Sequence, residues 1–178
     1  MVRHYNKLQK AIHESVFYCE KEQDGVGVEI ALQYVDDITA RIVPFANNIY
    51  NPEHGTHVTG FKTALTRILN TYGKKNNLIK DADGPFSGDD VLEGLTVVIS
   101  VKLAEIQFEG QTKAKLGSME AQGATTTVFG EAFATFAQRF QYLLLRAGHQ
   151  VAVHHTRRGL QVATAAQGQA SLVATASA

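Results

Sequence analysis

An α+β fold is what this sequence predicts: a mixed sheet with helices packed on one face, in the order β-β-β-α-β-α. Three observations carry that expectation. Val26, Val28, Ile30, Leu32 and Tyr34 alternate with Gly27, Glu29, Ala31 and Gln33, the period of two of a half-buried strand. Val58, Phe61, Leu65, Ile68, Leu69 and Tyr72 instead share one face at helical spacing. Val97, Ile99, Val101 and Leu103 then return to alternation.

Taken in chain order, SVFYC (15–19) supplies a short opening strand and residues 26–34 the second. Asp36-Asp37 is turn-prone, so residues 41–50 are expected to return as the antiparallel partner of 26–34 in a hairpin. Pro44 lacks the N–H that a ladder needs, which places this third strand at an edge or a bulge. A helix begins near His57 and ends near Gly73. Ser87 and Asp90 have capping-box spacing, with Asp in the usual Glu position, and announce a short helix over 88–93. The strand 97–103 follows. Residues 118–145 read as a closing helix, with Val128, Phe129, Phe133 and Phe136 spaced for one face.

Composition sets the bounds. A chain of 178 residues that is 44% hydrophobic can bury one moderate core. Seventeen basic residues balance seventeen acidic ones, so no overall field points to nucleic acid or membrane. A lone cysteine, Cys19, excludes an internal disulfide and suits a reducing compartment. The opening MVRHYNKLQK has no apolar run, and no stretch is apolar for long enough to span a bilayer. A soluble, cytoplasmic protein is expected. After Lys115 there is neither lysine nor aspartate, and GLQVATAAQGQASLVATASA offers few large apolar groups to offset ordering entropy. An ordered domain is therefore expected to about residue 138, followed by a loose tail.

The stretch FEGQTKAKLG, residues 108–117, is the chemically suggestive one. Gln111 and Lys113 are donors on either side of a hydroxyl, and Gly110 permits close backbone approach. Such a loop suits phosphate oxygens and can stabilise charge on a transferred phosphoryl group. On spacing alone the signal is weak, and a solvated turn is the more usual reading of a short polar loop. His54 and His57 have H-x-x-H spacing without a third ligand nearby, and a role at a helix entry fits them better than a metal. Cys19 with His13 reads as a structural cysteine rather than an activated thiol. Arg67, near Lys62, Lys74 and Lys75, is either part of a solvated helix face or a DNA-facing one.

VEIALQY (28–34), FANNIY (45–50), GTHVTGFKTALTRILN (55–70), SGDDVLEGLTVVISVKL (87–103) and FEGQTKAKLG follow one another in a familiar order and spacing. Together they resemble the ATPase subunits of type IIA DNA topoisomerases, the DNA gyrase B subunit above all and the topoisomerase IV B subunit next. The resemblance runs from about Tyr18 to about Phe136. It implies a two-layer transducer domain over 15–138 with a left-handed βαβ crossover. Residues 1–14 would be the remnant of a linker from a missing N-terminal ATPase domain, and 139–178 an aberrant, loosely ordered tail.

By the same likeness, Gln111 and Lys113 reach the γ-phosphate of ATP, Lys113 contributes to catalysis, and Arg67 lines a DNA-sized cavity. ATP and Mg2+ would serve the full-length protein, with neither bound by this segment alone and no metal site on it. Implied partners are the N-terminal ATPase domain, the gyrase A subunit, a second B subunit in an A2B2 assembly, and double-stranded DNA. The alternative is a non-catalytic structural module, or an inactive product, of the same fold. One departure stands out: the family has two glycines before Thr-His, where this chain has His54-Gly55. Should the first need positive φ, His54 would be strained.

Overall fold

The computed structural model describes residues 1–76, 84–146, 149–156 and 159–166. Alternating apolar residues build the centre of the sheet. Strand β1 (Phe17–Gln23) pairs antiparallel with β2 (Val26–Tyr34) across a tight turn at Asp24-Gly25. Both turn residues have positive φ, 52° and 76°, as a type I′ hairpin requires. On its other side β2 pairs antiparallel with β5 (Leu95–Lys102), setting Ile30 opposite Ile99 and Leu32 opposite Val97. Strand β3 (Arg41–Ala46) runs parallel to β5, and the two-residue β4 (Ile49–Tyr50) closes the order β1-β2-β5-β3-β4.

Two sequence expectations about this sheet are corrected. Residues 26–34 and 41–50 are not hairpin partners, because β5 lies between them. The chain leaves β2 through Val35, whose N–H donates to the Gly94 carbonyl, and an Asp37 carboxylate oxygen accepts from the Thr39 N–H. That side-chain turn directs the backbone away from β2 rather than back along it. Nor is 41–50 one strand. Asn47 and Asn48 both take positive φ, 47° and 65°, so Ile49-Tyr50 folds back on Phe45-Ala46. Pro44 is near the sheet edge as expected, since β4 pairs only with residues 45–46.

Helix α2 (Thr56–Lys75) connects β3 to β5 and helix α3 (Met119–Arg146) follows β5. Each presents an apolar stripe to the same side of the sheet. Val58, Phe61, Leu65, Val128 and Phe129 join Val28, Ile30, Leu32, Val97, Ile99 and Val101 in one buried cluster. The helices approach closely at Gly60, where an added Cβ would collide with the Gln122 carbonyl. Phe17 seals the end of the core edge-on against Phe129, Phe133 and Phe136, at 5.7, 5.3 and 5.2 Å. Ser87 and Asp90 form the expected reciprocal capping pair, each backbone N–H donating to the other's side chain, although only residues 90–92 coil, as a 3-10 turn.

The opposite face of the sheet is covered at one end by the N-terminal segment. After the short helix α1 (Val2–Tyr5), the buried Asn6 donates to Gln33 Oε1 at 3.0 Å and accepts from Thr96 Oγ1 at 2.7 Å. Ala11 bridges Val35, and His13 Nε2 accepts the Tyr34 N–H. Residues 1–14 thus pack against the sheet that follows them. At the other end α3 continues past residue 138, and β6 (His149–Thr156) pairs antiparallel with β7 (Gly159–Ala166). Residues 147–148, 157–158 and 167–178 of the expected tail lie outside the described residues.

Candidate functional site

Beyond β5 the chain turns at residues 104–105 and then forms a small hairpin over 107–118. Phe108 bridges Leu116, the Glu109 N–H donates to the Lys115 carbonyl, and the Gly117 N–H donates to Gln107. Ser118 Oγ closes the base by accepting the Gln107 N–H at 2.9 Å. The tip is Gly110-Gln111-Thr112-Lys113. Gly110 takes φ 88°, where a side chain would be strained, and Gln111, Thr112 and Lys113 are all exposed. The sequence-predicted donors Gln111 and Lys113 are therefore brought together at a free tip.

Lys113 itself has φ 55°, a conformation uncommon for any residue but glycine. Its ammonium stands 5.9 Å from the centroid of the Phe108 ring, at the outer limit of a cation–π contact. Lys115 is differently placed: its ammonium pairs with Glu109 at 2.8 Å, and that hydrogen bond raises its pKa. Among the described residues no carboxylate comes within ion-pair distance of Lys113. One lysine is internally neutralised and the other is available to an outside anion.

The hairpin docks on the turn that starts α2. The Glu53 N–H donates to the Ala114 carbonyl, the Leu116 N–H to His54, and the Thr56 N–H to Leu116. Thr56 Oγ1 adds a 2.6 Å bond to the Ser118 carbonyl. Gly55 makes this possible, because any Cβ there would lie 2.5 Å from the Leu116 backbone and its φ is 139°. Asn51 completes the contact, donating from Nδ2 to the Lys113 carbonyl at 2.8 Å. Sequence reasoning does not single out Asn51. The Asn51-Pro52 dipeptide is a turn signal that could have marked it.

The two histidines of this turn behave as helix-entry residues. His54 sits at φ 68°, the strained position anticipated for it, and burial and nearby Lys62 lower its pKa. His57 is fully buried, and burial, with His54 beside it, pushes its pKa down to about 4. Among the described residues no group of three His, Cys, Asp or Glu side chains could hold a metal. His13 is held by Ser15 and Tyr34, while burial raises the Cys19 thiol to about 11.

Arg67 is exposed on α2 about three helical turns, roughly 15 Å, beyond the docking turn, so it does not join the Gln111–Lys113 tip. Its guanidinium lies over Gly130 of α3, beside a groove of about 500 Å³ lined also by Thr71, Tyr72, Lys75 and Ala134. Among the described residues no helix is long and apolar enough to cross a membrane.

Comparison with known proteins agrees with this architecture. The family described as DNA gyrase B matches residues 1–155, a longer span than the motifs alone suggest. The DNA gyrase B subunit of Bacillus mycoides is 53% identical over 135 residues, which is 76% of this chain and 33% of that protein. Its counterpart in Halalkalibacterium halodurans is 51% identical over 135 residues, 76% of this chain and 21% of its own length. Among solved structures, the 43K ATPase domain of Thermus thermophilus gyrase B in complex with an aminocoumarin superposes with a TM-score of 0.71 at 36% identity. That match covers 79% of this chain and 39% of the other. The chain thus spans a third or less of the length of the two curated relatives. With the family matched along most of its length and the five-stranded sheet shared with a solved relative, this chain belongs to the DNA gyrase B family.

Proposed function

We propose that this chain is the transducer segment of an ATP-dependent type IIA DNA topoisomerase of gyrase type. Its hairpin tip contacts the γ-phosphate of ATP held in a separate nucleotide-binding domain. The observation that carries this reading is Lys113: exposed, without a carboxylate partner among the described residues, and at positive φ on a hairpin bonded to the start of α2. In that role its ammonium stabilises negative charge as the terminal phosphoryl group leaves, and Gln111 adds an uncharged donor. Neither residue does covalent chemistry.

The described residues supply no metal ligand set, so Mg2+ would be held with the nucleotide outside them. Because the turn at 51–56 both supports the hairpin and begins α2, movement of Lys113 toward or away from a phosphate is delivered to that helix. Strand passage would then require the gyrase A subunit, a second B subunit and duplex DNA, with Arg67 on the wall that faces the duplex.

Joining this chain to a gyrase B nucleotide-binding domain tests the reading through ATP turnover. Lys113→Ala is expected to lower turnover at least about a hundredfold, as loss of a charged donor to a developing oxyanion does. Gln111→Ala should cost less, because a neutral donor makes a weaker bond. Turnover unchanged by Lys113→Ala would remove the phosphate-sensing assignment.

A further inference from the structure

We infer that Asn51 is a positioning residue for Lys113. The inference rests on the phosphate-sensing reading of the tip. Asn51 has no exposed surface, yet it spends its amide on a single partner, the Lys113 carbonyl 62 residues away in sequence. Lys113 is the one residue of the tip at which that hold matters. Its φ of 55° is disfavoured for a side chain of this size, and such a conformation persists only where the surroundings over-determine it. Within the tip the alternative restraint, the Lys113 N–H to the Gly110 carbonyl, is long at 3.4 Å. The neighbouring bonds, from Glu53 N–H to Ala114 and from Leu116 N–H to His54, fix the stem and leave the tip's own conformation to Asn51.

The Asn51 backbone is itself anchored. Its N–H donates to the Pro44 carbonyl of β3 and its carbonyl accepts from His54, so the amide is aimed from the end of a sheet strand. Asn51 Oδ1, by contrast, finds no partner among the described residues although it is buried. A residue retained for packing would not be expected to leave a buried acceptor orphaned, since that costs stability. One used for aiming its donor would. Asn51 therefore sets the direction of the Lys113 side chain by holding the backbone from which it projects.

Asn51→Leu separates the two roles, for leucine has nearly the same shape and removes both the donor and the orphaned acceptor. In the full 178-residue chain, amide exchange at 112–115 is expected to quicken about tenfold or more while the melting temperature holds or rises. In the polypeptide joined to the nucleotide-binding domain, kcat should fall about tenfold with little change in KM for ATP. Added to Lys113→Ala, the substitution should cause no further loss. Unchanged exchange at the tip, parental turnover, or a loss that multiplies that of Lys113→Ala would each overturn the assignment. Where Asn51→Leu fails to fold, Asn51→Asp, which keeps the size and removes the donor, decides by tip exchange and turnover. Its melting temperature is expected to fall, because a buried carboxylate then faces the Lys113 carbonyl. Should Lys113→Ala itself leave turnover intact, the phosphate reading falls, while tip exchange still judges whether Asn51 holds Lys113.

Discussion

Acid should destabilise this fold through one buried ring, and the effect can be sized. His57 begins α2 with no exposed surface, and neither ring nitrogen has a partner among the described residues. Burial leads the causes that push its pKa from 6.5 down to about 4. The folded state therefore holds His57 neutral in a range where the unfolded chain protonates it. The corresponding stability is complete above pH 6.5 and is lost as pH falls toward 4. Each pH unit within that window removes up to about 1.4 kcal/mol, so the whole shift amounts to roughly 3 kcal/mol. His13 and His54, whose pKa values are also lowered, add losses of the same sign, as does the lowered Asp37 carboxyl at more acid pH. These groups remain in a variant, so the difference isolates His57. Urea unfolding followed by far-UV circular dichroism, with parent and His57→Leu measured from about pH 7.5 to about pH 4.5, provides the assay. Leucine leaves no unpaired ring nitrogen, so the variant should equal or exceed the parent at neutral pH. Its advantage should then widen by roughly 2–3 kcal/mol toward the acid limit. Parallel stability curves across that range would refute the reasoning and place a proton partner beside His57.

Two further outcomes follow from close contacts. Gly55→Ala should cost at least about 3 kcal/mol, because its Cβ would lie 2.5 Å from the Leu116 backbone at φ 139°; a melting temperature within a degree or two of the parent would contradict this. Asn6→Leu should lower stability by about 2–3 kcal/mol, since Gln33 and Thr96 both lose their buried partner, and the same unfolding titration checks it.

Local chemistry explains which parts of the fold were legible. Strand β2, strand β5 and helix α2 each carry their own period, and burial follows it except at Gln33 and Thr96, which are buried with Asn6 on the other face of the sheet. The Ser87–Asp90 pair and Pro44 likewise act over a few positions. Strand order does not. The parallel partner of β3 arrives only after α2, and nothing near Arg41–Ala46 encodes it beyond an apolar face. Asp36-Asp37 suggests a hairpin because acidic pairs favour turns, whereas the tight hairpin lies at Asp24-Gly25, whose Asp-Gly pair is the stronger signal. The break at Asn47-Asn48 is concealed by Phe45, Ile49 and Tyr50, which favour strand on either side, and only asparagine's tolerance of positive φ allows it.

The candidate site divides along the same line. Residue type and flanking glycine announce Gln111 and Lys113, and a donor-rich stretch with no apolar periodicity had to be exposed. What sequence could not supply is the support. Lys113 is held from Asn51, Ala114 from Glu53 and Leu116 from His54, all across about sixty residues. The strain anticipated at His54 is real, with φ 68°, and it falls where the hairpin base meets the helix start. Two non-glycine residues at positive φ, His54 and Lys113, thus occupy the two sides of one contact. Neither side chain makes a hydrogen bond to its own backbone turn among the described residues, and both segments are tied by backbone and Asn51 bonds to each other. Each is bonded to the other segment, so the contact should form or release as a unit, the property that the proposed phosphate-responsive joint requires.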